Sequence, residues 1–167
     1  MILGIVGAEA AKFTEYGQAR AKLNIQYLID RFEPTGISSG ACHLGGADIW
    51  AEEAADYNGL EKFIYPPKYL TWKYYQARNI QIAEKSDIVV CLAVDKYPPD
   101  YVGMRFEYCY HCVRLNEPDH IKSGGCWTTK YARVKLGKEG RLVVINNEDP
   151  LFHTAGSAVT EEPEASG

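Results

Sequence analysis

Apolar runs short enough for strands alternate along the chain with stretches in which apolar residues recur at helical spacing. That alternation predicts a parallel sheet whose strands are joined by crossover helices. Residues 2–6, ILGIV without the leading Met, form the first predicted strand. From Thr14, an N-cap type followed by Glu15, the residues Leu23, Ile25, Tyr27, Leu28 and Phe32 predict a helix that stops before Pro34. Residues 35–39 give a short second strand, and GGADIWAEEAADYNGL gives an Ala-rich helix closed by Asn58-Gly59. A third strand at 62–65 is halted by Pro66-Pro67, and a helix over 71–85 leads into DIVVCLAV. The nearly unbroken apolar character of that fourth strand is the mark of a central position covered on both faces. The last pair is a helix from Thr128 to Leu136, capped by Gly137, and a fifth strand at 141–145. The expected fold is α/β, a three-layer Rossmann-like sandwich with a mainly parallel five-stranded sheet.

Between Asp95 and Lys122 the alternation fails. Pro98, Pro99, Pro118 and clustered tyrosines occupy a connection longer than compact domains ordinarily use, and such segments carry a function or their own structure. A single domain over residues 1–146, with an insertion at 95–122, is therefore expected, followed by an acidic tail, 147–167, expected to be disordered. One core suits 167 residues with 46% hydrophobic content. A net charge of −4 argues against a nucleic-acid-binding surface and favours small-molecule or protein partners, a homo-oligomer included. The first residues lack a basic leader and no apolar run approaches the ~18 residues of a membrane span, so a cytoplasmic location is expected.

Five cysteines without a secretion signal point to thiols or metal ligands rather than disulfides. Cys109 and Cys112 form a C-x2-C, the spacing that lets two thiolates of one knuckle reach the same ion, and His120 and Cys126 follow. Together they predict a structural Cys3His zinc site. The competing reading is a set of unrelated thiols in a Tyr-rich loop, and His111 stands as the alternative to His120. Cys42 and His43 become a metal pair only if a third ligand joins them.

Glycines mark where a ligand would sit. In an open parallel sheet, ligands bind outside the carboxyl ends of the strands. Gly7, then Ser39, Gly40, Gly45 and Gly46, then Gly124 and Gly125 fall at that edge, where backbone N–H groups and helix starts suit an anion. None of these loops is a G-x-G-x-x-G fingerprint or a P-loop. Trp127, beside the glycine pair, is a candidate for stacking on a base. Trp72, Tyr74 and Tyr75 have the spacing of core aromatics, and Asp48 that of a residue bonded within its own helix start.

The order of elements, SGACHLGGADIWAEEA after the second strand, and the spacing from ARN to SD before DIVVCLA resemble the SLOG superfamily, which groups the DNA-processing protein A fold with the LOG nucleotide phosphoribohydrolases. The resemblance covers residues 2–146 apart from the insertion. It implies a Rossmann-like sheet holding a nucleotide on its glycine loops, with Arg78 and the adjacent Asn79 at the position of the family's helix arginine. It also implies a Gly-Gly-x-Gly-Thr turn. Gly124, Gly125 and Thr128 keep most of that turn, but Trp127 replaces its third glycine, and Lys130 and Tyr131 stand where the LOG enzymes carry a glutamate. Glu107 or Glu53 would have to supply the missing carboxylate. The resemblance with that departure implies a module that binds or senses a nucleotide or nucleotide derivative; the alternative is an enzyme acting at an N-glycosidic bond. DNA binding is disfavoured by the acidic charge.

Overall fold

Strands β1 (Ile2–Gly7), β2 (Gly36–Ser39), β3 (Glu61–Ile64), β4 (Ile88–Val94) and β5 (Glu139–Ile145) pair in the order β3-β2-β1-β4-β5. Every pairing among them is parallel, so the mainly parallel sheet expected from sequence is wholly so. The computed structural model describes residues 1–151, without the side chains of His111 and Val113. Helices α1 (Glu15–Phe32), α2 (Ala47–Tyr57), α3 (Trp72–Lys85), α4 (Tyr110–Val113) and α5 (Gly124–Lys135) supply the connections, with one 3-10 turn at Ala10–Lys12.

The two faces of the sheet divide by the period-two rule of strands. Leu3 and Ile5 of β1 and Val90, Leu92 and Val94 of β4 pack with Ala21, Ile25 and Leu28 of α1 and Trp50 and Ala51 of α2. Val6, Val89, Cys91 and Ala93 point the other way, against Ile82 and Ala83 of α3 and Ala132 of α5. All seven β4 residues are buried, as the apolar run requires.

Two expectations are corrected. Leu23 and Tyr27 are 62% and 58% exposed, and the buried stripe of α1 is Gly17, Ala21, Ile25, Leu28 and Ile29. At about 3.6 residues per turn, a position two residues from Ile25 lies on the far side of the helix. The last helix starts at Gly124, a turn before Thr128, so the glycine pair is its first turn rather than a loop. Thr128 and Thr129 sit inside it, donating back to the carbonyls of Gly124 and Gly125 at 3.1 and 2.7 Å. Glycine is a poor helix former, but a Cβ on Gly125 would stand 2.6 Å from Cys91 Sγ and 3.1 Å from Gly7 Cα. Close packing of this helix on β1 and β4 overrides propensity.

Asn147, the first residue of the expected tail, is 4% exposed and joins three connections. Its Nδ2 donates to the carbonyls of Lys12 and Lys96 at 2.8 and 2.7 Å, and its Oδ1 accepts from Thr14 N at 3.0 Å. Thr14, the N-cap of α1, accepts from Gly17 N at 3.0 Å and donates to the Asn147 carbonyl at 2.7 Å. Truncation to Asn147→Ala strands buried donors and acceptors and is expected to lower stability by ~2–4 kcal/mol, read as a lower urea midpoint with an unchanged slope. The rest of the tail's expected disorder, at 152–167, lies outside the described residues.

Candidate functional site

In this strand order the connections leave β1 and β4 toward opposite sides, which opens a crevice at their carboxyl ends. Gly7 ends β1, and the first turn of α5 closes over it through Gly125. On the other side, Ala47 N, the start of α2, donates to the Ala8 carbonyl at 3.1 Å, and Gly46 turns the chain there at φ 91°. The Ser39-to-Ala41 segment leaves β2 beside them. It is held by Glu52, whose Oε1 accepts from Ser39 Oγ at 2.5 Å and from Ala41 N at 3.1 Å.

Arg78, expected as a ligand contact, reaches from α3 to this edge. A Cβ on Gly40 would fall 1.3 Å from Arg78 Nη1, so glycine there makes the space in which the guanidinium lies. Arg78 Nη1 donates to Asp48 Oδ2 at 2.9 Å, and the two side chains are 11% and 4% exposed. Asp48 is thus half of a buried ion pair across two helices, where sequence suggested a bond within its own helix start. Burial pushes its carboxyl above the ordinary 3.8, with Arg78 pulling the other way. Arg78 Nε is buried and has no hydrogen-bond partner among the described residues. Asn79 is buried beside it, with its Nδ2 3.8 Å from where a Gly124 Cβ would be.

The expected carboxylates are placed less centrally. Glu53 is exposed and 4.0 Å from Lys22 of α1. Glu107 is exposed too, and lines a surface hollow with Lys96 and Arg105. A carboxylate that sequence reasoning passed over is Glu9, two residues beyond Gly7. It accepts from Tyr101 Oη at 3.1 Å and pairs with Lys12 at 3.6 Å. Desolvation and that bond together push the Tyr101 phenol up to about 12. Its position just past the first strand was the only signal in the sequence.

The insertion forms a second centre. Tyr108 and Ile121 make an antiparallel bridge, Cys109 N donates to the His120 carbonyl at 2.9 Å, and Ile121 N donates to the Val94 carbonyl at 2.9 Å. These bonds fasten it to the end of β4. Cys109 follows the bridge residue Tyr108, Cys112 is on α4, His120 precedes the bridge residue Ile121 and Cys126 is on α5. All four are buried, and their ligand atoms lie within 4.8 Å of one another. An ideal tetrahedron of zinc–sulfur bonds would set its sulfurs about 3.8 Å apart, so small side-chain movements close the cluster on an ion.

His120 Nδ1 lies 2.7 Å from the Pro118 carbonyl, and Nε2 lies 3.3 Å from Cys126 Sγ. A proton on Nδ1 leaves the Nε2 lone pair for the cluster, the outer bond that orients a metal-binding imidazole. Hydrogen bonds from Cys112, Cys91 and His120 pull the Cys126 thiol well down, while its bond to Cys126, burial and Cys109 push Cys112 up. Three sulfurs and one imidazole can hold a metal that prefers soft or borderline donors, and they offer no oxygen for magnesium or calcium. The alternative ligand His111 has its side chain outside the described residues. Cys42 is half-buried, and it and His43 gain no third ligand among the described residues.

Trp127, the expected stacking residue, faces away from the sheet. It stacks on Tyr131 at 5.2 Å between ring centres and meets Trp72 edge-on at 5.8 Å. Among the described residues no helix is long and apolar enough to cross a membrane. No family model, curated protein or solved structure matches this chain, so its function has to be argued from the crevice and the Cys/His cluster themselves.

Proposed function

We propose that the protein is a SLOG-like module that binds a nucleotide or nucleotide-derived phosphate compound in the β1/β4 crevice, and that a structural zinc ion clamps its insertion. The observation that carries the ligand reading is Arg78. Its guanidinium is held over Gly40 by Asp48, keeps an unsatisfied Nε, and lies where glycine-bared backbone suits an anion. Gly124, exposed on the first turn of α5, leaves open backbone at the same edge, with Asn79 Nδ2 the only atom near its Cβ position, at 3.8 Å. Zinc is assigned from the donor set, since three thiolates and a neutral imidazole fill its tetrahedron and leave no place for a catalytic water. Five free cysteines fit a reducing, cytoplasmic setting.

The test is calorimetric titration with a panel of nucleoside mono-, di- and triphosphates, with inorganic phosphate as reference. At least one nucleotide should bind, and Arg78→Ala should weaken it by ~1–3 kcal/mol. A panel without binding removes the reading. Free base is measured in the same incubations. None is expected, because after its glycine pair α5 carries Lys130 and Tyr131 in place of a glutamate. Base release lost in Glu107→Gln or Glu9→Gln would replace the binding module with an N-glycosidic enzyme.

A further inference from the structure

Beside the crevice, and sharing Gly124 with it, a cavity of about 660 Å³ lies along α5, a size suited to a small organic ligand. Its walls are aromatic: Trp127 and Tyr131 present a stacked pair, Trp72 closes one side from the start of α3, and Phe106 of the insertion closes another. Cys109 and Cys126 of the metal cluster form part of its floor, so the clamp that orders the insertion also sets the cavity's shape. Lys122, Lys130 and Lys135 line it, and no acidic residue does. Among the described residues, none of these three lysines makes an ion pair. In a chain of net charge −4, three unpaired cations around one acid-free, aromatic-walled cavity are a local exception.

We infer that this cavity is a second binding site, beside the β1/β4 crevice, for a planar aromatic anion. The ring lies against Trp127, where stacking and burial of apolar surface hold it. The negative group reaches the lysine rim, where its charge replaces the counter-ions of Lys122 and Lys130. A nucleotide and a free aromatic acid share this chemistry. Arg78, Gly7 and Gly46 do not line it, whereas Ser123 and Gly124 do, so the cavity adjoins the crevice; the inference rests on the aromatic walls and the lysines, not on the nucleotide reading.

The experiment uses the full chain with its metal and two matched probes, naphthoate and the neutral naphthamide, followed by tryptophan fluorescence and calorimetry. Naphthoate should bind ~tenfold more tightly than naphthamide, and Lys130→Glu should abolish that difference. Trp127→Leu should weaken both probes. Lys62→Glu, the same charge change at the far edge of the sheet, should alter neither. If Trp127→Leu unfolds the chain, the charge test with Lys130→Glu at the half-buried rim still decides. Equal binding of the two probes, or naphthoate binding indifferent to Lys130→Glu, overturns the inference. Displacement of naphthoate by AMP assigns the natural occupant to nucleotides, and naphthoate binding untouched by AMP assigns it to aromatic acids.

Discussion

Cys109→Ser and Cys112→Ser are each expected to empty the metal site and open the insertion. Structural zinc sites contribute on the order of 10 kcal/mol or more in small domains, and that binding energy is folding energy for whatever the ion closes. Here it would close a segment that is poor in apolar side chains: Val102, Met104 and Phe106 are exposed, and the buried residues around the bridge are mostly the four Cys/His residues themselves. The parent should carry about one zinc per chain by elemental analysis, and each serine variant close to none. Hydrogen exchange should speed up from Tyr108 to Cys126 while β1 and β4 keep their protection. Because Cys126 stands on the first turn of α5, next to Gly125 on Gly7, nucleotide binding should weaken as well. Cys42→Ser, remote from the cluster, should keep the zinc. A parent protein that is zinc-free, with Cys109, Cys112 and Cys126 all freely reactive, would remove the metal reading.

What could be read from sequence follows from the range over which each feature is encoded. The fourth strand is written in seven consecutive apolar residues, and the crossover order in the alternation of runs, so the α/β sheet emerges from local pattern. The Cys/His cluster is partly local too: C-x2-C is a short spacing, and the antiparallel bridge Tyr108–Ile121 brings His120 back to it, with Cys126 six residues further on. Cys91 is different. It approaches Ser123 and Cys126 from the middle of β4, where its residue type reads only as a small apolar side chain. The start of α5 was misread for the same reason. Gly124-Gly125 looks like a loop until Gly7 and Cys91, both far away in the chain, are seen to leave no room for a Cβ on Gly125. Asp48 and Asn147 complete the set, since a polar residue's partner across the fold leaves no trace in periodicity.

Removing the cation from the buried Arg78–Asp48 pair is expected to cost ~3–5 kcal/mol near neutral pH, because Asp48 is left charged and unpaired at 4% exposure. Arg78→Met keeps most of the side-chain volume and isolates that effect. The cost should depend on pH with a definite sign. In the parent, desolvation already holds the Asp48 carboxyl above 3.8 while Arg78 opposes it. Without Arg78 the folded pKa rises further, so the folded variant keeps a proton that the unfolded chain gives up. Stability then falls as pH rises from about 4 through the new folded pKa, over a wider window than in the parent. The gap between variant and parent should therefore be small near pH 4 and largest near pH 7, measured by urea unfolding across that range. The double variant Arg78→Met/Asp48→Leu replaces the pair by apolar groups and should recover most of the stability, since a buried ion pair rarely exceeds its apolar replacement. It should not recover nucleotide binding. That separation assigns Arg78 a ligand contact in addition to its pairing with Asp48; a double variant that binds nucleotide as the parent does would leave Arg78 with the structural role alone.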